Sequence, residues 1–239
     1  MRSFLSLFAF TFLFFSCEEE ALVAFSERIE IYDENAIIEI NIPKAEGDSE
    51  LSRSINETLE NHIANMLNFG EENLDSVSLD EAIRMFDSEY NQFKSDMEES
   101  GLTWEAIFDA EVIYQSHEVI CLAINGYMNT GGAHGNMNIT FYNFEGETGR
   151  ILQIDDILTD KEAFTEFVKP YFEKAIESKE GEKLSDYFFG DPFHLPANIG
   201  INEDGILMLY NVYEIGSYAQ GITEFTIPFE EVEAYLKLK

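Results

Sequence analysis

The chain has 239 residues, 45% hydrophobic and 14% aromatic, which is enough to bury a sizeable core and excludes intrinsic disorder as its class. Against 14 basic residues stand 47 acidic ones, a formal net charge of −33, which repels nucleic acid and anionic lipid headgroups and favours cationic partners through attraction that salt weakens. Acidity of this degree also keeps a domain soluble, so by itself it names no partner.

The first sixteen residues read as an export signal. Arg2 supplies one positive charge, Phe4 to Phe15 is apolar at ten of twelve positions, and Ser16 sets a small residue before Cys17. A membrane-spanning helix needs about 20 apolar residues, so this run is too short and is expected to be cleaved. Phe14-Phe15-Ser16-Cys17 resembles a loose lipobox, in which signal peptidase II cuts before a cysteine that has received diacylglycerol; the bulky Phe14 and Phe15 depart from the commonest pattern. The resemblance implies lipidation of Cys17, and several acyl chains at about 0.8 kcal/mol per buried methylene make a stable anchor. Residues 17–24 then form an acidic tether opening on Glu18-Glu19-Glu20, which is similar to the tract after the lipidated cysteine of surface lipoproteins of Bacteroidetes and equally readable as a solvated spacer. The expected location is the outer membrane or cell surface, with the globular part held close to the lipid.

Arg28 to Tyr32 and Ala36 to Ile42, joined by Asp33-Glu34-Asn35, predict a β-hairpin ending at Pro43. Leu51, Ile55, Leu59, Ile63 and Met66 recur at helical spacing over residues 50–67. A second helix starts at Ser78, with Ser78 and Glu81 as a capping box and Leu79, Ala82, Ile83, Phe86, Tyr90 and Phe93 as its apolar stripe. Trp104 to Tyr114, Glu118 to Met128 and Asn136 to Phe144 have the alternation and β-branched content of an antiparallel meander. Cys121 lies in its apolar run Val119 to Ile124 and reads as a buried strand residue, so no disulfide framework is expected.

After the turn Glu145 to Gly149, a short strand is predicted over Arg150 to Ile154, then a third helix over about 161–178. Thr159 and Glu162 suggest a capping box at its start, and Pro170 predicts a kink inside it. Strands follow at Ile199 to Ile201, Ile206 to Tyr213 and Glu224 to Pro228, with Glu203-Asp204-Gly205 as a hairpin turn and a terminal helix at Glu230 to Leu238. The order of elements argues an α+β fold, antiparallel sheet with packed helices, and its size fits one compact unit or two small, intimately packed subdomains.

Three glycines surround a histidine in Asn129-Thr130-Gly131-Gly132-Ala133-His134-Gly135-Asn136. Such glycines suit a tight reversal in which His134 bonds a backbone carbonyl, and equally a loop that approaches a ligand closely. Tyr210, Tyr213 and Tyr218 could join Asn211, Gln220 and this loop in an aromatic and polar face suited to a glycan or a protein partner, although strand tyrosines are more often half-buried.

The tract TGGAHGN at 130–136, together with Tyr213-Glu214-Ile215-Gly216-Ser217-Tyr218-Ala219-Gln220-Gly221 and Glu224-Phe225-Thr226-Ile227-Pro228, resembles the paired domains DUF4163 and DUF3298. These occur in the non-catalytic part of the peptidoglycan N-acetylglucosamine deacetylase PdaC and in the extracellular region of the anti-sigma factor RsiV. The resemblance implies a region that binds rather than reacts: in RsiV-like proteins it recognises lysozyme, a strongly cationic protein. It also implies two intimately associated subdomains, residues 25–135 similar to DUF4163 and residues 136–239 similar to DUF3298. The candidate ligand-binding residues, read from the glycine loop and the tyrosine face, are Gly131, Gly132, His134, Asn136, Asn211, Tyr213, Tyr218 and Gln220. The chain lacks the sigma-binding segment and transmembrane helix of an anti-sigma factor, so transmembrane signalling is not carried over.

Catalytic chemistry finds no support in the sequence. His62, His117, His134 and His194 are scattered, no H-E-x-x-H, H-x-x-x-H or cysteine-pair spacing exists, and Asp155-Asp156 has no histidine motif beside it. Gly216-Ser217 lacks the G-x-S-x-G elbow and no EF-hand loop is present; His134 could act as a general base in an enzyme on envelope polysaccharide, although no positioned nucleophile is visible for it to activate. The expectation is a non-enzymatic cell-envelope lipoprotein without metal or cofactor, binding a cationic lysozyme-like muramidase or, alternatively, acting as a peptidoglycan- or glycan-binding accessory module.

Overall fold

The computed structural model describes residues 23–69, 77–97, 102–177 and 181–238; the export signal, Cys17 and most of the acidic tether lie outside them. An antiparallel hairpin, β1 (Phe25–Tyr32) and β2 (Ile37–Ala45), opens the fold. Two helices follow, α1 (Glu50–Met66) and α2 (Leu79–Asp96), and then the meander β3 (Glu105–Gln115), β4 (Val119–Asn129) and β5 (Asn136–Glu145). β3 pairs parallel to β2, with Ile37 opposite Glu105, and so closes a five-stranded sheet in the order β1-β2-β3-β4-β5. The helix pair is the crossover that a parallel pairing requires.

Both helices form where their stripes and caps direct. Ser49 Oγ accepts from Ser52 N at 3.0 Å, and Ser78 Oγ from Glu81 N at 3.3 Å, each satisfying a backbone donor left over in the first turn. Leu51, Ile55, Leu59 and Ile63 of α1 and Leu79, Ala82, Ile83, Phe86 and Tyr90 of α2 are buried, whereas Met66 and Phe93 are only partly covered. Each fully buried side chain of this size contributes about 1.5–3 kcal/mol. Their counterparts on the sheet are Ile38, Ile40, Phe108, Ile120, Leu122 and Ile124.

β4 serves two cores through its alternation. Ile120, Leu122 and Ile124 face the helices, while Val119, Cys121 and Ala123 face a second, antiparallel sheet of β6 (Ile199–Ile201), β7 (Gly205–Tyr210) and β8 (Thr223–Pro228). Cys121 is buried as expected; its Sγ accepts from Ile201 N at 3.3 Å, and burial pushes the thiol up to about 12, which leaves it unreactive. On the far side of the second sheet lies α4 (Lys161–Glu177), whose Phe164, Val168, Phe172 and Ile176 are buried. The layers therefore run helices, five-stranded sheet, three-stranded sheet, helix: the α+β class read from the sequence, with β5 inside the first sheet.

Asparagines fasten the two sheets at the outer edge of β5. The Asn211 amide accepts from Ile139 N at 2.8 Å and donates to Ile139 O at 2.9 Å, as a neighbouring strand would. Asn198 Oδ1 accepts from Phe141 N at 3.2 Å, and Asn143 Nδ2 donates to Ile199 O at 2.8 Å. Backbone groups that an edge strand leaves open are thereby satisfied.

Several local expectations are corrected. Arg150 to Ile154 is not a strand: Ile151 makes a single bridge to Phe144, and Ile154–Ile157 forms the one-turn helix α3. α4 is capped by Asp160, whose Oδ1 accepts from Ala163 N at 2.9 Å, because the Thr159 hydroxyl and N–H are both held by Tyr235 O. Pro170 lies inside α4 as expected. β7 ends at Tyr210, where the Asn211 side chain turns to β5 and Glu214 takes up the Asn211 N–H at 2.8 Å. The predicted terminal helix shrinks to α5 (Phe229–Val232) and one 3-10 turn.

A partly buried histidine sits where α1 meets β5. His62 Nδ1 lies 2.9 Å from the Tyr142 hydroxyl, its Nε2 is buried without a partner, and burial pushes its pKa down to about 4. The ring titrates near 6.5 when unfolded, so its neutral native form contributes fully above that pH and the contribution fades as pH falls toward 4, by about 3 kcal/mol in all. Wild type should lose about that much stability relative to His62→Gln between pH 7 and pH 4. A stability difference unchanged between those pH values, by urea unfolding, would refute the assignment.

Candidate functional site

The loop between β4 and β5 is built for a tight reversal. Gly131 takes φ +92° with its N–H bonded to Asn129 Oδ1 at 3.2 Å, and at Gly135 a Cβ would lie 2.3 Å from the Tyr127 hydroxyl oxygen. That close packing lifts His134 into solvent. The imidazole stacks on Tyr218, ring centroids 3.7 Å apart and planes 20° apart, and on its other contact Tyr213 lies 6.5 Å away at 24°. Tyr213 and Tyr218 are 5.8 Å apart, and both remain exposed, at 54% and 40%.

Hydrogen bonds fix the ring. His134 Nδ1 is 2.9 Å from Gly135 O, so the proton resides on Nδ1, and Nε2 accepts from the Tyr213 hydroxyl at 3.3 Å; the Tyr218 hydroxyl donates to Gly135 O at 3.4 Å. Nε2 is the nitrogen a general base would use, and here it faces a phenol. Tyr213 itself adopts φ +66°, a left-handed conformation uncommon for a bulky residue, which turns its ring out of the fold. The result is an exposed, pre-set aromatic patch with hydroxyl and imidazole edges, a surface for stacking and polar contact.

Of the residues singled out in the sequence, His134, Tyr213 and Tyr218 come together. Gly131 and Gly132 shape the loop, and Asn136 is exposed at the start of β5. Asn211 is held inward on Ile139, and Gln220 is taken up by the backbone, accepting from Ser217 N at 2.7 Å in its own loop and donating to Asp186 O at 3.1 Å in the turn at 184–186. Tyr210 is fully buried, donating to His194 O at 2.7 Å. A second group escaped the sequence reading: Asn41, Asp109, Asn125 and Glu224 line a cleft of about 520 Å³ between the sheets. Strand pairing sets Asn41, Asp109 and Asn125 in one row, and Glu224 reaches the cleft from the facing sheet.

The aromatic patch lies at one end of the sheet. The β4–β5 loop leaves Asn129, which pairs with Glu105 at the start of β3. Val23, where the described chain begins, accepts from Gln115 Nε2 at 3.2 Å at the far end of that strand. The eleven residues of β3 put about 33 Å between the two ends. Among the described residues no group of three or more His, Cys, Asp or Glu could hold a metal ion, and no helix is long and apolar enough to cross a membrane.

A two-sheet α+β domain with an exposed aromatic patch is thus the class that fold and site define. Residues 30–137 match the family described as Deacetylase PdaC, and residues 155–230 match the Protein of unknown function (DUF3298) family. The two matched regions follow one another along the chain, and the patch draws His134 from the first and both tyrosines from the second. Among solved structures, a DUF3298 family member from Bacteroides fragilis is similar at a TM-score of 0.68 and 23% identity, covering 90% of this chain and 94% of that one. A DUF3298 family protein from Pseudomonas aeruginosa gives 0.66 and 17%, covering 92% and 96%. At these identities the likeness is one of fold. No curated protein gives a significant match.

Proposed function

We propose that this protein is a non-catalytic binding module of the cell envelope, tethered by lipid at Cys17, whose His134–Tyr213–Tyr218 patch engages a cationic lysozyme-like muramidase. The observation that carries the reading is the patch itself: three rings held by mutual stacking and hydrogen bonds yet open to solvent. Rigid exposed aromatics anchor interfaces at little entropic cost, since their geometry is set before binding. The net charge of −33 suits a cationic partner and speeds the encounter. A tether joined at Val23 leaves the patch at the end remote from the membrane, facing whatever approaches. The same ring faces favour the alternative ligand, since sugar rings of peptidoglycan stack on tyrosine.

Calorimetric titration of residues 21–239 into a cationic c-type lysozyme at low salt and at 0.5 M salt tests this. Saturable one-to-one binding should persist at 0.5 M salt, where charge attraction reaches only a few Å. Tyr213→Ala should weaken it at least about tenfold, or roughly 1.4 kcal/mol, with an unchanged circular dichroism spectrum. Binding that vanishes with salt and ignores Tyr213→Ala would overturn the muramidase reading; retention on purified sacculi, lost in Tyr213→Ala, would then establish the glycan one.

A further inference from the structure

The second sheet covers only part of the first. On the face of the five-stranded sheet turned toward it, Ile29 and Ile31 of β1 are 62% and 65% exposed. One row of cross-strand partners runs Ile29, Asn41, Asp109, Asn125 and Ile139, crossing all five strands on that face. Where the row passes under the edge of the second sheet it enters the 520 Å³ cleft, whose opposite wall is Leu207 and Leu209 of β7 with Glu224 of β8, the strand partner of Leu209.

The chemistry of this cleft is one-sided. No lysine, arginine or histidine lines it, while Asp109, Glu111 and Glu224 do. Asp109 accepts a 3.3 Å bond from Asn41, and none of the three acids forms an ion pair among the described residues. Farther in, Asn125 Oδ1 is buried with no hydrogen-bond partner, a state native proteins rarely leave uncompensated. The remaining lining is apolar, with Ile139 and Phe141 on the floor and the two leucines on the wall. Acceptors on both sheets of a cleft that is otherwise largely apolar call for a group that only donates and is carried on an aliphatic stem. Arginine fits best: its guanidinium presents five donors in a plane and accepts none, and its methylenes pack on apolar surface. A lysine would bring the charge without the planar set of donors. The exposed Ile29 and Ile31 continue the apolar surface beyond the cleft, which suits an arginine borne on a protein surface.

We infer that the inter-sheet cleft is an arginine-binding site, in which a guanidinium from a cationic protein partner reaches between Asp109 and Glu224 to Asn125. For the identity of that partner the inference rests on the reading above; for its chemistry it rests on the cleft alone. Titration of ¹⁵N-labelled residues 21–239 at 150 mM salt with acetyl-tetra-arginine amide should shift the amide signals of Asn125, Leu209 and Glu224 in a saturable way. The neutral tetra-citrulline analogue should leave them in place, and the paired substitution Asp109→Asn with Glu224→Gln, both at exposed strand positions, should weaken the arginine peptide at least about tenfold. Unsaturable shifts scattered over the acidic helix faces, or a double variant that binds like wild type, would overturn the assignment. Lysozyme separates the two readings. Binding lost in Tyr213→Ala and untouched by the double variant retains the patch and rejects the cleft, whereas an arginine peptide seated in the cleft of a protein that ignores lysozyme supports the cleft and removes that partner.

Discussion

Replacing Phe172 by alanine is expected to lower stability by about 3–5 kcal/mol, among the largest losses a single truncation can cause. The ring is fully buried and is the hub of the core beneath the second sheet, with Tyr187, Phe188, Phe193 and Tyr210 all at centroid distances of 5.2–5.5 Å and Phe225 at 6.4 Å. Edge-to-face pairs of this kind add about 0.5–1.5 kcal/mol each beyond burial, and rings already packed on one another cannot collapse into the space left behind. The consequence reaches the surface, because Phe188 N is bonded to Ile215 O at 2.6 Å in the loop that carries Tyr213 and Tyr218. Thermal unfolding of Phe172→Ala should therefore shift down by roughly 10 °C, and ligand affinity should fall before the fold is lost. A loss under about 1 kcal/mol in denaturant titration would show that this aromatic core is loosely packed and the argument mistaken.

Gly149→Ala is expected to cost about 2–4 kcal/mol through backbone alone. Gly149 sits at φ +75°, where a side chain is strained, and an added Cβ would lie 2.7 Å from Leu51 Cα and 3.1 Å from Ser54 Cβ. Neither neighbour can swing aside: both belong to the first turns of α1, and Ser54 Oγ donates to Gly149 O at 2.6 Å. The substitution must push the turn after β5 away from the helix that covers the sheet. Urea unfolding of Gly149→Ala at pH 7 gives the number, and a value within 0.5 kcal/mol of wild type would mean that the turn relaxes freely.

Elements were legible in the sequence wherever one residue type repeats at one period. The stripes of α1 and α2 and the alternation of β3, β4 and β5 follow directly from burial on one side, and α4 announced itself despite Pro170. Errors arose where a short apolar run could serve either structure. Ile151 and Ile154 look like strand residues, yet the chain there has no strand to pair with beyond one bridge, so it closes into a single helical turn. Tyr213 continues the apparent strand of Ile206 to Tyr210, but Asn211 is drawn onto the edge of β5 by two hydrogen bonds and the strand stops. Strand neighbours are a matter of topology, and no local pattern told that β2 would lie parallel to β3. For the same reason the aromatic patch was partly legible, since glycines flanking a histidine and a run of tyrosines are visible along the chain, whereas the acidic cleft was not.

The asparagines that join the sheets address atoms common to every residue. Asn211 and Asn198 bond the main chain of Ile139 and Phe141, and Asn143 bonds the main chain of Ile199. Each fastening thus demands identity at one partner only. Most side chains along β5 and β6 can drift without releasing the joint, so a lineage could reshape the recognition surface at either end while the two sheets stay locked at the same relative offset.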